Sequence, residues 1–322
     1  MVGAAPRRVA CHARDRVVRL LPSRAMTRPH ATVLVSAPDQ PGLVARFAGF
    51  FFELGLNIVD SSNHASKIET DARRFYMRLV VDLDGLAKPR ALATLGDSTS
   101  RRTLEQAFGK LATELDASWS VGYSDVLEKI ALLVTKESAC LYDLVLRQKQ
   151  GELPCEIALI VSNHPTLEPV AEGFRLPFYT LPVNAETKRA QETQLLALLK
   201  KHHVTLVVLA RYMQVLSDTF LVEAPPVINI HHGFLPAFQG AKPYHQAFER
   251  GVKLIGATAH YATKDLDEGP ILEQDVARVH HGMGPDELVR VGRDVERVVL
   301  ARAVRAHLER RVIVEGHRTI VL

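Results

Sequence analysis

Asn229 and His231 stand two residues apart at the end of a short apolar run, VINI, and are followed by His232, Gly233, Phe234, Leu235 and Pro236. Residues two apart on an extended chain point to one face, so an amide and an imidazole can act on the same small volume. A second polar stretch, Thr263-Lys264-Asp265-Leu266-Asp267-Glu268-Gly269-Pro270, follows the next predicted strand and supplies carboxylates. The amide can donate to a developing oxyanion, the imidazole can move protons near neutral pH, and a carboxylate can orient the imidazole. That set suffices for hydrolysis or acyl transfer without a covalent intermediate. An isolated Asn-x-His is a weak signal, because Asn and His are ordinary turn residues. Its place after a buried strand strengthens it, since open α/β sheets bind ligands outside the carboxyl ends of their strands.

Competing chemistries are less well supplied. The 14 histidines include the pairs His202-His203, His231-His232 and His280-His281, but no H-E-x-x-H, H-x-H or Cys/His spacing. No G-x-S-x-G marks a serine nucleophile. Cys140 falls near a predicted helix start, where a thiolate would be favoured, but a small buried apolar residue is the simpler reading. The first strand of the larger region ends LLVTKESACLYDL, with Lys136, Glu137 and Ser138 where a phosphate-cradling loop would carry glycines. A glutamate there repels phosphate, which argues against a phosphorylated second substrate.

The elements that must position these groups fall into two blocks. Residues 31–123 read as strand (31–37), helix (LVARFAGFFFELG), strand (LNIVDSSNHAS), strand (75–83), helix (RRTLEQAFGKLATEL) and strand (SWSVGY). This βαββαβ order is the ferredoxin-like split pattern. Asp39 is expected to cap the first helix, Pro41 to sit in its first turn and Gly55 to end it. Residues 85–100 read as a long loop and 124–129 as a linker. Beyond them, short apolar strands alternate with helices: 130–135, 156–162, PFYTLPV, 204–210 and 227–230, with helices through 148, near 170 and over 186–202. That is a mostly parallel sheet covered on both faces, a Rossmann-like α/β domain. IGATAHYAT and ILEQDVARV read as longer, more exposed strands, and residues 285–311 as a long amphipathic helix.

Length and charge agree with two globular domains. The chain has 322 residues, 47% apolar and 24% charged, and no apolar run long enough to span a bilayer. Three cysteines without a C-x-x-C pair suit a reducing, cytoplasmic setting. The net charge of +4 hints at a polyanion partner. Residues 1–25, however, hold six arginines against one acid, so the body beyond them is balanced to within a single charge. No nucleic acid and no membrane is expected as a partner. Residues 1–29 read as a leader outside the folded body, disordered or preceding the true start.

NIHHGFLPAFQGAKPYHQAFERGVKLIGATAHYATKDLDEGPILEQ, residues 229–274, strongly resembles the formyltetrahydrofolate deformylases, and GRDVERVVLARAV and GHRTIVL continue the likeness. That family has the formyl-transferase fold shared with phosphoribosylglycinamide formyltransferase. SAPDQPGLVARFAGFFFELGLNIVD resembles the ACT domain that these deformylases carry. The resemblance implies an ACT regulatory domain over 30–123 and a formyl-transferase-like catalytic domain over 130–322. It implies hydrolysis of 10-formyltetrahydrofolate to formate and tetrahydrofolate, supplying formate for purine synthesis, with no cofactor or metal. The family's catalytic set falls on Asn229, His231 and Asp267. Folate contacts fall on Met213, Gln214, Val215, Leu216, Thr263, Leu266 and Gly240. A regulatory amino acid, glycine or methionine, would touch Asp39, Gly42, Leu43 and Asn57, and a homo-oligomer is expected.

Some positions depart from the family pattern. Gly233 replaces a usual Ser and is expected to loosen the loop behind His231. Gln214 replaces a frequent Arg and is expected to weaken a pterin contact. Gln239 and Lys242 are further local substitutions. Two alternatives remain at this stage: formyl transfer to an amine acceptor, and a catalytically weak folate or amino-acid sensor.

Overall fold

The computed structural model describes residues 29–66, 73–86, 100–237 and 243–322. The expected leader except Pro29, much of the 85–100 loop, and Gln239, Gly240 and Lys242 lie outside the described residues.

The first block contains β1 (His30–Pro38), α1 (Leu43–Leu54), β2 (Ile58–Ala65), β3 (Arg74–Asp82), α2 (Arg101–Glu114) and β4 (Ser118–Tyr123). Its antiparallel sheet has the order β2-β3-β1-β4. Period-2 alternation on β1 sends Ala31, Val33, Val35 and Ala37 inward, against Leu43, Phe47, Phe51 and Leu54 of α1. Phe51 stacks on Phe108 of α2 at 5.6 Å between ring centroids. Burying each such ring stabilises the domain by roughly 1.5–3 kcal/mol. Helix α1 starts later than expected. Gly42, at φ 90°, is its N-cap, and no side chain caps it, so Asp39 does not. Asp39 is instead tied through its backbone N–H to the carbonyl of Arg73 at 2.8 Å. Pro41 precedes the helix, and Gly55 closes it as expected.

The second block runs β5 (Glu128–Val134), α3 (Ala139–Gln150), β6 (Cys155–Ser162), a 3-10 turn (Pro165–Leu167), α4 (Glu168–Phe174), β7 (Phe178–Thr180), α5 (Lys188–Lys201) and β8 (Leu206–Leu209). It continues with α6 (Asp218–Glu223), β9 (Val227–His231), α7 (Pro243–Glu249), β10 (Leu254–Tyr261), β11 (Ile271–Arg278) and α8 (Pro285–Leu308). A hairpin of β12 (Val312–Glu315) and β13 (Arg318–Val321) closes the chain. Strand β5 begins inside the expected 124–129 linker.

The seven-stranded sheet has the order β11-β10-β9-β8-β5-β6-β7. Strands β5 to β9 are parallel, whereas β10 runs antiparallel to both β9 and β11. Ile130, Leu132 and Val134 face one core, with α3 and α8. The intervening Ala131 and Leu133 face the other, with α5. This double burial is why the strands read as nearly continuous apolar runs.

Strand β10 was expected to be exposed. It is buried from Ile255 to His260, because it lies inside the sheet between β9 and β11. Of these two strands only β11 is partly exposed, at one edge of the sheet, with β7 at the other. The C-terminal hairpin reaches back to the first block. Tyr76 Oη donates to Glu315 at 2.6 Å, and Arg78 donates to the carbonyl of Glu309 at 3.2 Å. A cleft of about 270 Å³ between β1, β4 and β12 includes Ser36, Trp119 and Val312 and none of the expected catalytic residues.

Candidate active site

His231 is the last residue of β9, and Asn229 precedes it by two. Asp267 comes from the loop between β10 and β11. That loop can approach β10 because Gly269 has no side chain: a Cβ there would collide with the Tyr261 carbonyl. Asp267 adopts φ 60°, a left-handed conformation that Asp tolerates better than most residues. The result is a close set. His231 Nδ1 lies 3.2 Å from Asp267 Oδ2, and His231 is 4% exposed.

His231 Nδ1–H donating to Asp267 leaves Nε2 with its lone pair free. Nε2 is buried and has no hydrogen-bond partner among the described residues. The bond from His231 Nδ1–H holds the Asp267 carboxyl far below the usual carboxylate range. Asp267 is therefore ionised throughout the pH range in which an imidazole can work.

His260 is the functional residue that sequence reasoning missed. It sits on β10 directly opposite Asn229. Asn229 Nδ2 lies 3.2 Å from His260 Nε2, and His260 Nδ1 lies 3.0 Å from the carbonyl of Tyr261. A carbonyl only accepts, so Nδ1 carries the proton and Nε2 accepts from the Asn229 amide. That fixes the amide's orientation and leaves its second N–H unused. Asp267 Oδ1 stands 3.6 Å from the same Nε2, beyond hydrogen-bond reach.

Bonds to its backbone hold the loop behind His231 at Gly233 and Leu235. Thr258 Oγ1, fully buried on β10, donates to the Gly233 carbonyl at 2.9 Å and accepts from Leu235 N–H at 3.0 Å. Gln274 Nε2 adds bonds to Thr258 Oγ1 at 2.9 Å and to the Leu235 carbonyl at 3.0 Å. Thr258→Val keeps the shape but strips the buried Gly233 carbonyl and Leu235 N–H of their partner. The expected loss is about 1–3 kcal/mol, read as a lower melting temperature.

His232 points to different surroundings. Its ring lies 5.4 Å from His231 and 6.2 Å from Tyr244. Burial, reinforced by the Arg211 charge, pushes its pKa down to about 3. Between that value and an unperturbed pKa near 6.5, the unfolded chain binds a proton that the folded one refuses. Stability is therefore lost as pH falls through this window. Thermal melts should show His232→Leu losing less stability than the unmodified chain between pH 6.5 and 4.

The expected folate contacts form a separate apolar surface. Met213, Val215 and Leu266 are 55%, 57% and 62% exposed, an unusual exposure for such side chains. Met213 and Val215 follow β8, which pairs with β9 so that Leu209 lies beside Asn229. Leu266 adjoins Asp267. Leu216 packs partly into the core, Gln214 is half-buried and Thr263 is exposed, with its hydroxyl on the Asp265 carbonyl. In the first block, Asp39, Gly42 and Asn57 are exposed, but the Leu43 side chain is buried in the core. Cys140 is buried, and burial drives its thiol pKa far up, which removes it as a nucleophile. Among the described residues, no three His, Cys, Asp or Glu side chains are grouped to hold a metal ion.

Comparison with known proteins places this geometry. The formyl transferase family profile matches residues 128–304, and the ACT domain profile matches residues 31–91. The formyltetrahydrofolate deformylase of Synechocystis sp. is 50% identical over 291 residues, covering 90% of this chain and 98% of that protein. The chain belongs to the formyltetrahydrofolate deformylase family. The deformylase of Bacillus subtilis is 43% identical, over 90% of this chain and 92% of its own length. The crystal structure of a deformylase from Pseudomonas syringae pv. tomato superposes with a TM-score of 0.85, at 40% identity, over 93% of this chain and 96% of that one. A glycinamide ribonucleotide transformylase from Symbiobacterium toebii reaches a TM-score of 0.57 at 29% identity and covers 61% of this chain. This deformylase-family chain thus joins an ACT domain to a formyl transferase domain.

Proposed function

We propose that this chain hydrolyses 10-formyltetrahydrofolate to formate and tetrahydrofolate, with Asn229, His231 and Asp267 as its catalytic residues. One observation carries the assignment: a buried His231 Nε2, without a hydrogen-bond partner among the described residues, whose opposite nitrogen is held by an ionised Asp267. His231 Nε2 takes a proton from water as the oxygen attacks the formyl carbon. The free N–H of Asn229 donates to the oxyanion that forms. His231, now protonated and steadied by Asp267, returns the proton to the folate nitrogen, and the C–N bond breaks. No step calls for a metal or a cofactor.

The exposed Met213, Val215 and Leu266 suit the flat face of a pterin, with Leu216 beneath and Gln214 and Thr263 offering polar edges. Gly240 is assigned to the same contact set from the family resemblance alone. The deformylase names of relatives that share nearly the full length support this substrate. The formate released would supply purine synthesis. The test is direct: the protein incubated with 10-formyltetrahydrofolate alone should release formate and tetrahydrofolate in equal amounts, and no release in the absence of an acceptor would sink the reading.

For the first domain we infer control by an amino acid, with glycine or methionine as candidates, acting at the exposed Asp39, Gly42 and Asn57. The exposure of Val44 on α1 and Val59 on the edge strand β2 supports a homo-oligomer built through this domain. The balanced charge of the body and the absence of a helix long and apolar enough to cross a membrane, among the described residues, support a cytoplasmic enzyme with no nucleic-acid or membrane partner.

A further inference from the structure

The crevice between β5 and β8 is where the strand order of the large sheet reverses, since β6 lies on one side of β5 and β8 on the other. Such a switch point is the usual ligand site of an open α/β sheet. Here the segments that border it are drawn together, with Met213 N–H donating to Thr135 Oγ1 at 3.0 Å. Charged residues follow both strands, Glu137 after β5 and Arg211 after β8.

Glu137 follows β5. Its Oε1 accepts from Ser138 N–H at 3.2 Å and Ala139 N–H at 3.4 Å, so it takes the backbone donors at the start of α3 that an incoming anion would use. Its Oε2 pairs with Arg293 of α8 at 2.9 Å, so the nearby cation is spoken for as well. One turn along α8, Glu296 is 1% exposed. It accepts from Tyr244 Oη at 2.7 Å and pairs with Arg211 at 3.5 Å. Tyr244 can come so close because the helix carries Gly292 beneath its ring, where a Cβ would collide with it.

Arg211 follows β8 in a left-handed conformation, φ 66°, which favours glycine. Its Nε and Nη1 are buried with no hydrogen-bond partner among the described residues. A buried guanidinium this poorly bonded contributes little to stability, so its presence calls for another explanation. The cluster lies beside the catalytic histidine: His232 has Tyr244 on one side and His231 on the other.

We propose that two carboxylate–guanidinium pairs, Glu137–Arg293 at the rim and the buried Glu296–Arg211, border the switch-point crevice and reserve the formyl group for water by excluding an amine acceptor. The inference rests on the deformylase reading and specifies it. In hydrolysis the new bond joins water oxygen to the formyl carbon, the C–N bond to folate breaks, and one proton of water ends on the folate nitrogen. With the crevice opened, an amine nitrogen forms the new bond and its proton makes the same journey. Everything His231, Asp267 and Asn229 do is common to both outcomes. Only the occupant of the crevice differs.

The test uses Arg211→Gly, whose backbone conformation suits glycine, and, as a second variant, Glu137→Ser. Each is incubated with 10-formyltetrahydrofolate and excess glycinamide, and formate and N-formylglycinamide are both measured. The unmodified chain should yield formate alone. Arg211→Gly should raise the share of formyl groups recovered on glycinamide roughly tenfold or more above the background. A variant that is folded by circular dichroism, still binds tetrahydrofolate and yields only formate would overturn the proposal. If Arg211→Gly does not fold, Glu137→Ser is read by the same two outcomes. Formate release by the unmodified chain without glycinamide is measured first, so failure of the deformylase reading is seen separately from failure of the crevice to control the acceptor.

Discussion

Asp267→Asn is expected to lower turnover about 10²–10⁴-fold, the span attributed to well-positioned acid–base catalysis, while tetrahydrofolate still binds. The carboxylate accepts from His231 Nδ1–H at 3.2 Å and so keeps the lone pair of Nε2 facing the buried space where water would attack. An Asn at this position can turn its NH₂ toward Nδ1. The imidazole then carries its proton on Nε2 and cannot act as a base. The backbone is not the cause of the loss, because the left-handed φ of 60° at Asp267 suits Asn equally well. The protonated imidazole formed after attack also loses the anion that steadies it. Because the Asp267 carboxyl is held well below its usual range by the bond from His231, its ionisation contributes stability that is present above the unfolded carboxyl pKa and lost as pH falls below it. Asp267 therefore contributes no ionisation of its own to the activity profile near neutral pH. Steady-state kinetics with a parallel tetrahydrofolate titration decide the matter: near-normal turnover in Asp267→Asn would refute the assigned role.

The parts of this site that are legible in the sequence share a physical cause. Parallel strands buried on both faces read as unbroken apolar runs, so VINI announces β9, and the polar residues that end it stand at the edge where ligands bind. Asn229 and His231 are readable for that reason. His260 is not. Its partner Asn229 lies 31 residues away and meets it only through the antiparallel register of β9 and β10. The run IGATAHYAT looks exposed because it holds Gly256, Thr258 and His260. In the folded chain Gly256 makes room for the Asp275 carbonyl, Thr258 ties down the loop after His231, and His260 orients Asn229. The small and polar residues are there to let neighbours approach and bond, a purpose that hydropathy does not carry. The same limit applies to Asp39, which looks like a cap by residue type although the helix starts beyond it at Gly42. It applies also to Arg211 and Glu296, which meet across the switch point with nothing in their spacing to announce it. Short elements such as α6 and α7 escape notice because one or two turns hold too few residues to display a period.

Asn229→Ala should reduce kcat by about 10²–10³, the usual consequence of removing one oxyanion donor, with little change in KM. The amide of Asn229 has two N–H groups. One is committed to His260 Nε2 at 3.2 Å, because His260 Nδ1–H is itself spent on the Tyr261 carbonyl at 3.0 Å. The other is left for the oxygen that gains charge when water adds to the formyl group. A donor engaged only as that charge develops affects the transition state and not the ground state, so the loss falls on kcat. Asn229→Asp should be worse than Ala, since a carboxylate there would face the oxyanion with like charge. His260→Phe provides the control for position. It leaves Asn229 in place but frees its amide to rotate, so kcat should fall less than in Asn229→Ala, and combining the two changes should add little to Asn229→Ala alone. If Asn229 were merely structural, truncation would raise KM and lower the melting temperature together while leaving kcat nearly intact. A kcat that survives in Asn229→Ala, or full additivity with His260→Phe, would remove Asn229 from the chemistry and leave stabilisation of the oxyanion to be sought among the backbone N–H groups that follow His231.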